Sequence, residues 1–186
     1  MTARAIEVVY LSFLEKQVDP QILKKIVELE NAVEKKFNVF RAKVGKETMT
    51  DNEVRKVLKE STLSERRKAV WEGSKRVGSV LEKDLLALVK LRNQAAKQLG
   101  FKNFHDLKLY INEQNGKDLI ALFDELDELT REPFKKAKAD LDKRLAKNCG
   151  IKVKDLRPWH YHDPFFQETP AVFAANIDQP YRETDL

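Results

Sequence analysis

The chain has 186 residues, 35% of them charged and 42% hydrophobic, with only six Gly and six Pro, which suits one helical domain with a real core and excludes long disordered tracts. No apolar run is long enough for a membrane span, and the single Cys149 excludes an internal disulfide framework, so the expected setting is a reducing cytoplasm without membrane attachment. The net charge of +5 is uneven, with 21 Lys and Arg against 14 Asp and Glu in residues 1–100, and 14 against 16 in residues 101–186. The bases alternate with acids along helical faces (Glu28, Glu30, Glu34, Lys35, Lys36) and have no aromatic platform among them, so they read as solvated surface and not as a nucleic-acid interface.

In chain order, Ile6, Val9, Tyr10, Phe13 and Leu14 have helical spacing over Ala3 to Gln17. Asp19-Pro20 then supplies a cap and a first-turn proline for a helix whose apolar series runs Ile22, Ile26, Leu29, Val33, Phe37, Phe40, Val44 and stops at Gly45. Thr50 with Glu53 forms a capping box for a helix through Leu58, and Thr62 with Glu65 offers a second box for the helix holding Arg66, Arg67 and Trp71. Gly73 and Gly78 interrupt that helix and permit close packing or a kink. Val80, Leu81, Leu85, Leu88 and Leu91 continue to a stop at Leu99-Gly100, and Asn103 caps a short helix that ends at Asn115-Gly116.

A last long helix runs from about Lys117 to Asn148 with the stripe Leu119, Leu122, Phe123, Leu126 and Leu129, a kink or break near Thr130 imposed by Pro133, and a stop at Gly150. The acidic pairs Asp124-Glu125 and Asp127-Glu128 read as solvent-facing. No stretch shows sustained alternation with period two, so strands are not expected. The fold class is therefore all-α, with long antiparallel amphipathic helices. Residues 1–186 read as a single helical region with no repeat or linker.

Leu156 to Pro170, LRPWHYHDPFFQETP, is different in kind. Pro158, Pro164 and Pro170 rule out a continuous helix, and aromatic and polar side chains on irregular backbone suit a recognition surface. His160 and His162 are two apart and in an extended segment would face one way, which gives two candidate metal ligands. No third His lies nearby, so orientation of aromatic neighbours or pocket lining is the stronger reading. The serines lack a nucleophile elbow, and Cys149, before Gly150, reads as a small half-buried residue.

This stretch resembles the angiotensin-converting-enzyme-like (peptidyl-dipeptidase A) zinc metallopeptidases, most of all their bacterial branch, in which a Pro-Trp-His-Tyr, Asp-Pro-Phe-Phe-Gln-Glu, Pro run precedes the catalytic half. The similarity extends through RRKAVWEGSKRVG (Arg66–Gly78), LVKLRNQAAKQLGF (Leu88–Phe101) and LFDELDELTREPF (Leu122–Phe134). The resemblance implies the N-terminal helical part of a zinc-dependent, dipeptidyl-carboxypeptidase-like hydrolase, forming a lid and one wall of a peptide cleft. It further implies that Gln167 contacts the substrate carboxylate, with Trp159, His160, Tyr161 and Phe166 beside it.

Zinc would belong to the complete parent protein. HExxH is absent from the chain, so no catalytic or metal-binding residue carries over and the chain alone is expected to be inactive. The implied partners are a peptide substrate and the remaining catalytic half. Apolar patches around Trp159, Phe165, Phe166 and Phe173 are expected to be exposed and to promote self-association. The rival readings are a non-catalytic helical module that binds peptides or proteins, and a small metal-binding protein using His160 and His162.

Overall fold

The computed structural model describes residues 2–168 and 170. The fold is all-α: α1 (Ala3–Leu14), α2 (Pro20–Val39), a hairpin of β1 (Ala42–Val44) and β2 (Glu47–Met49), α3 (Asp51–Glu60), α4 (Ser64–Lys75), α5 (Val77–Gln98), α6 (Phe104–Ile111) and α7 (Gly116–Asn148), followed by two short 3-10 turns, Val153–Asp155 and Pro158–His160. No described helix is long and apolar enough to cross a membrane. Contacts group the chain into two compact units. One is formed by the described residues up to Phe40 together with Val77–Thr130, the other by Arg41–Arg76 together with the described residues from Arg131 on.

In the first unit α2 packs on α5. Asp19 caps α2 by accepting the Gln21 N–H at 2.7 Å, with Pro20 in the first turn, as the Asp-Pro pair predicts. The Asp19 N–H donates to Gln98 (3.2 Å), Arg92 bonds Glu30 (2.6 Å) and Lys36 pairs with Asp84. Positions rising along α2 thus meet positions falling along α5, and the two helices are antiparallel. Val18, Ile22 and Ala95 form the buried centre of this pair, with Leu23, Ile26 and Leu99 against it. Gly100, at φ +85°, closes α5, the N–H of Phe101 returning to Ala96 and that of Gly100 to Lys97.

The second unit departs from the sequence expectation at its start. The helix whose apolar series runs on to Val44 ends at Val39, and Ala42↔Met49, Lys43↔Thr48 and Val44↔Glu47 pair as antiparallel strands. Gly45 has φ +63° and Lys46 does not share the left-handed region, the pattern of a II′ turn, which two-residue hairpins favour. Strands of three residues are too short to show a period of two, so a helical register that happened to include Phe40 and Val44 concealed them.

Other boundaries also move. The Thr50–Glu53 capping box is present, but Thr62 does not cap α4. Leu63 occupies the cap position without a side-chain bond, and the helix starts later than the Thr-x-x-Glu spacing implies. The α4–α5 break falls at Arg76, between the two glycines. Asn115-Gly116 is a start and not a stop: Asn115 accepts the N–H groups of Lys117 (2.9 Å) and Asp118 (3.3 Å) at the head of α7. Pro133 sits inside α7 without ending it. Gly150, at φ +64°, closes α7 as expected.

Gly73 lets α4 lie directly on the hairpin. A Cβ there would stand 3.0 Å from the Lys43 carbonyl oxygen and 3.0 Å from Val44 Cγ2. Gly73→Ala should destabilise the second unit by about 1–3 kcal/mol, since backbone must yield to the methyl. Chemical denaturation of the variant checks this.

Candidate functional site

Residues 156–168 are held mainly by one face of α4. Ser64, Arg67, Lys68, Trp71 and Lys75 recur at three- and four-residue intervals, which places them on one side of the helix. Arg67 is fully buried, and its guanidinium donates to three carbonyl oxygens, those of Ser61, Trp159 and His160, each at 2.7 Å. Burial pushes its pKa down, against a small opposing effect of Cys149. Trp71 packs on Trp159 with centroids 6.2 Å apart, and Lys68 lies over the Trp159 ring. Lys75 donates to the Pro164 carbonyl (2.7 Å) and sits 4.7 Å from the centre of Phe165.

His160 is interior, 1% exposed. Its Nδ1 accepts the Arg157 backbone N–H (2.8 Å), which leaves the hydrogen of the neutral ring on Nε2, 2.8 Å from Ser64 Oγ. The imidazole therefore donates to the serine and does not draw its proton. The Ser64–His160 pair is a clamp between α4 and the segment, not a base and nucleophile. Both ring nitrogens are engaged, and the backbone at 158–160 is a 3-10 turn instead of an extended strand, so the geometry that would aim His160 and His162 at one metal is not formed. Among the described residues no three His, Cys, Asp or Glu side chains cluster in a way that could hold a metal ion.

His162 is also buried, and burial, followed by the charges of Arg67 and Lys59, pushes its pKa down to about 4. Cys149 is half-buried, and burial raises its thiol pKa, so it stays protonated.

Asp163 fixes the next turn. Its carboxylate, 2% exposed, accepts the Gln167 N–H (2.6 Å) and pairs with Arg55 (3.1 Å). Its own carbonyl accepts the N–H of Phe166, which is held at φ +59° in the left-handed region. Burial alone would raise the Asp163 pKa. The N–H groups of Gln167 and Phe165, the charge of Arg55 and the N–H of Glu168 outweigh it and hold the carboxyl below the usual aspartate range. Asp163→Ala should cost about 1–3 kcal/mol, because it removes the part-buried acceptor of the Gln167 N–H and the partner of Arg55. Hydrogen exchange at the Phe165 and Gln167 amides, which bond the carboxylate and are expected to lose their protection, is the measurement.

The turn shapes one wall of a cleft of about 470 Å³. Tyr161, Phe166 and Gln167 face Phe134, Ala137, Lys138 and Leu141 of α7 across it. Tyr161 meets Phe166 edge-on at 5.8 Å, and its hydroxyl donates to Asp142 (2.8 Å) while accepting from Lys138 Nζ (2.6 Å). Of the five site residues expected from sequence, Tyr161, Phe166 and Gln167 come together in this cleft. Trp159 and His160 do not line it: one is half-buried on Trp71, the other inside. The expectation of a bare apolar patch is accordingly corrected at Trp159, whose ring is covered by Trp71 and Lys68, whereas Phe165 and Phe166 are exposed at 42% and 56%. Phe173 lies outside the described residues. Lys138, Asp142 and the α4 residues Ser64, Arg67 and Lys75 were not singled out by sequence. Only their helical spacing, read against the segment ahead, could have suggested them.

No protein-family model matches the chain, and comparisons with curated proteins and with solved structures give no significant match. Fold and site together define an all-α protein with a mixed apolar and polar cleft at an irregular, clamped segment.

Proposed function

We propose that this chain is the helical, cleft-wall portion of a zinc-dependent peptidase of the peptidyl-dipeptidase A type, and that its Tyr161–Phe166–Gln167 cleft seats the end of a peptide. The observation that supports the reading is the composition of the cleft. Phe134, Ala137, Leu141 and Phe166 offer an apolar floor for a side chain, and the Gln167 amide and Tyr161 hydroxyl stand at its edge for a polar chain end. Lys138 is engaged with Asp142 and Tyr161, so the cleft has little free positive charge of its own. Gln167 is exposed and free to turn its amide toward a ligand while its backbone is pinned by Asp163.

Among the described residues no His, Cys, Asp and Glu cluster fits a zinc site, and the sequence contains no HExxH, so in this reading metal and general base come from sequence outside the chain. The test is to read the source coding frame past Leu186 and express the longer product. A frame reaching HExxH with a later Glu, and zinc-dependent release of C-terminal dipeptides that Gln167→Ala weakens, is the expected result. A stop codon after Leu186 overturns it. It leaves the second reading, a non-catalytic peptide-binding module, which the self-contained cleft favours and which titration with short free-acid and amidated peptides would test.

A further inference from the structure

In the first unit, the end of α1 together with α2, α5 and α6 frames a pocket of about 320 Å³. Its floor is apolar, built from Leu23 and Ile26 of α2, Ala95 of α5 and Leu107 of α6. Asn93 accepts the Phe104 N–H at 3.0 Å and ties the head of α6 to α5. Along the rim Arg92 donates to Glu30 (2.6 Å) and Lys108 pairs with Glu15. Both cations also lie over the Phe104 ring, 5.2 and 5.4 Å from its centre. Two lining groups are left unmet. The Nε–H of Arg92 is shut off from solvent without an acceptor. Lys16 is exposed and has no carboxylate partner among the described residues.

We propose that this pocket binds a small monocarboxylate with an apolar body, an aryl or branched-chain acid. The charges lining the pocket are the three cations Lys16, Arg92 and Lys108 against the carboxylates of Glu15 and Glu30, so one negative charge balances them. An amine or a zwitterion finds no free acid, because Lys108 and Arg92 already engage both carboxylates. A neutral apolar molecule covers the floor but leaves the Arg92 Nε–H without an acceptor, which is costly in the interior. A carboxylate oxygen accepts from that donor in a charge-assisted bond and brings its charge to Lys16. Ligand pockets run from about 300 to 1,000 Å³, and this one sits at the small end, so a single ring or a short branched chain is the size that fits. The floor supplies the affinity and the head group the orientation. The inference does not depend on the peptidase reading.

Amide NMR of the full chain titrated with phenylbutyrate tests it, with phenylbutanol and phenylbutylamine as comparators of similar apolar body. The expected result is saturating shifts at the Phe104 and Leu107 amides, with the alcohol and the amine binding about tenfold more weakly for want of the charge-assisted bond. Lys16→Gln, at an exposed position, should weaken phenylbutyrate by about threefold. Val27 lines the same pocket and is 53% exposed, so Val27→Trp should fill the space and abolish the Phe104 shift. Circular dichroism confirms that both variants fold. Shifts that never saturate, or that fall equally on the exposed leucines of α7, mean adventitious apolar contact and overturn the proposal. So does equal affinity for the alcohol or the amine, or unchanged phenylbutyrate binding in either variant.

Discussion

Arg67→Met should lower the stability of the second unit by about 3–5 kcal/mol, the largest loss expected from any single substitution in the chain. The guanidinium is fully buried and donates to three carbonyl oxygens, two of them in the clamped segment. A methionine fills much of the volume but leaves one buried and two part-buried acceptors without their donor, each costing about 1–3 kcal/mol before relaxation. Arg67→Lys should fail almost as badly, because a single ammonium cannot span the three acceptors that a planar fork reaches. Thermal unfolding followed by tryptophan fluorescence is the direct measurement, since Trp159 and Trp71 separate when the segment lifts. A fall in midpoint of only a degree or two would mean that the segment is held by something other than Arg67.

Acidification should destabilise the same unit in two stages. His162 titrates near 6.5 when unfolded and is pushed down to about 4 by burial and by the charges of Arg67 and Lys59. Between those values the unfolded chain takes up a proton that the folded chain does not. Stability from this group is therefore whole above pH 6.5 and drains away as pH falls toward 4, by about 3 kcal/mol in all. His160, lowered first by burial and then by Arg67, adds in the same direction. Asp163 acts at lower pH. Its folded pKa is depressed, so its contribution is present above the usual aspartate range and is lost below it. His162→Gln, which stays neutral and keeps a polar side chain, should flatten the first stage and leave the second. Denaturant midpoints between pH 7.5 and 3.5 would show both, and an unchanged profile in the variant would remove His162 from this account.

The two expectations are coupled. Arg67 depresses both histidines, so the Arg67→Met chain should have its His162 resonance titrate at higher pH. Shared electrostatics of this kind couples mutations of neighbouring groups, and the effects of Arg67 and His162 substitutions should not add.

Local signals were legible in the sequence where they rest on neighbours a few residues away. Asp19-Pro20, the Thr50–Glu53 box, Asn103 and the glycines at 100 and 150 each satisfy backbone groups within one turn, and the structure uses them as the residue types predict. Asn115-Gly116 misled because Asn serves both ends of a helix, and only the N–H groups of Lys117 and Asp118 decide which. The cleft was half legible: three prolines and a cluster of aromatics announce irregular backbone, and Tyr161, Phe166 and Gln167 do line a pocket. Arg67 was not legible. An arginine in a charged helix reads as solvated surface, and its burial depends on carbonyl groups that reach it only through tertiary structure. His160 was legible in part: its ring meets Trp159 at 5.8 Å, as a residue that orients aromatic neighbours would, whereas its two hydrogen-bond partners, a backbone N–H and the distant Ser64, come from the tertiary structure.

The chain order of the second unit sets a timetable for synthesis. Arg67 finds its carbonyl partners 92 and 93 positions later in the chain. At about 5–20 residues per second, the ribosome needs roughly 5–20 s to supply them after Arg67 itself is made. During that interval α3, α4 and the hairpin have emerged without the segment that covers Trp71 and Arg67, while the residues of the first unit through Thr130 are completed between them. The nascent chain thus carries an unfinished second unit while the Val77–Thr130 part of the first is made. Chaperone occupancy on stalled chains should accordingly peak before residue 160 is translated and fall after it.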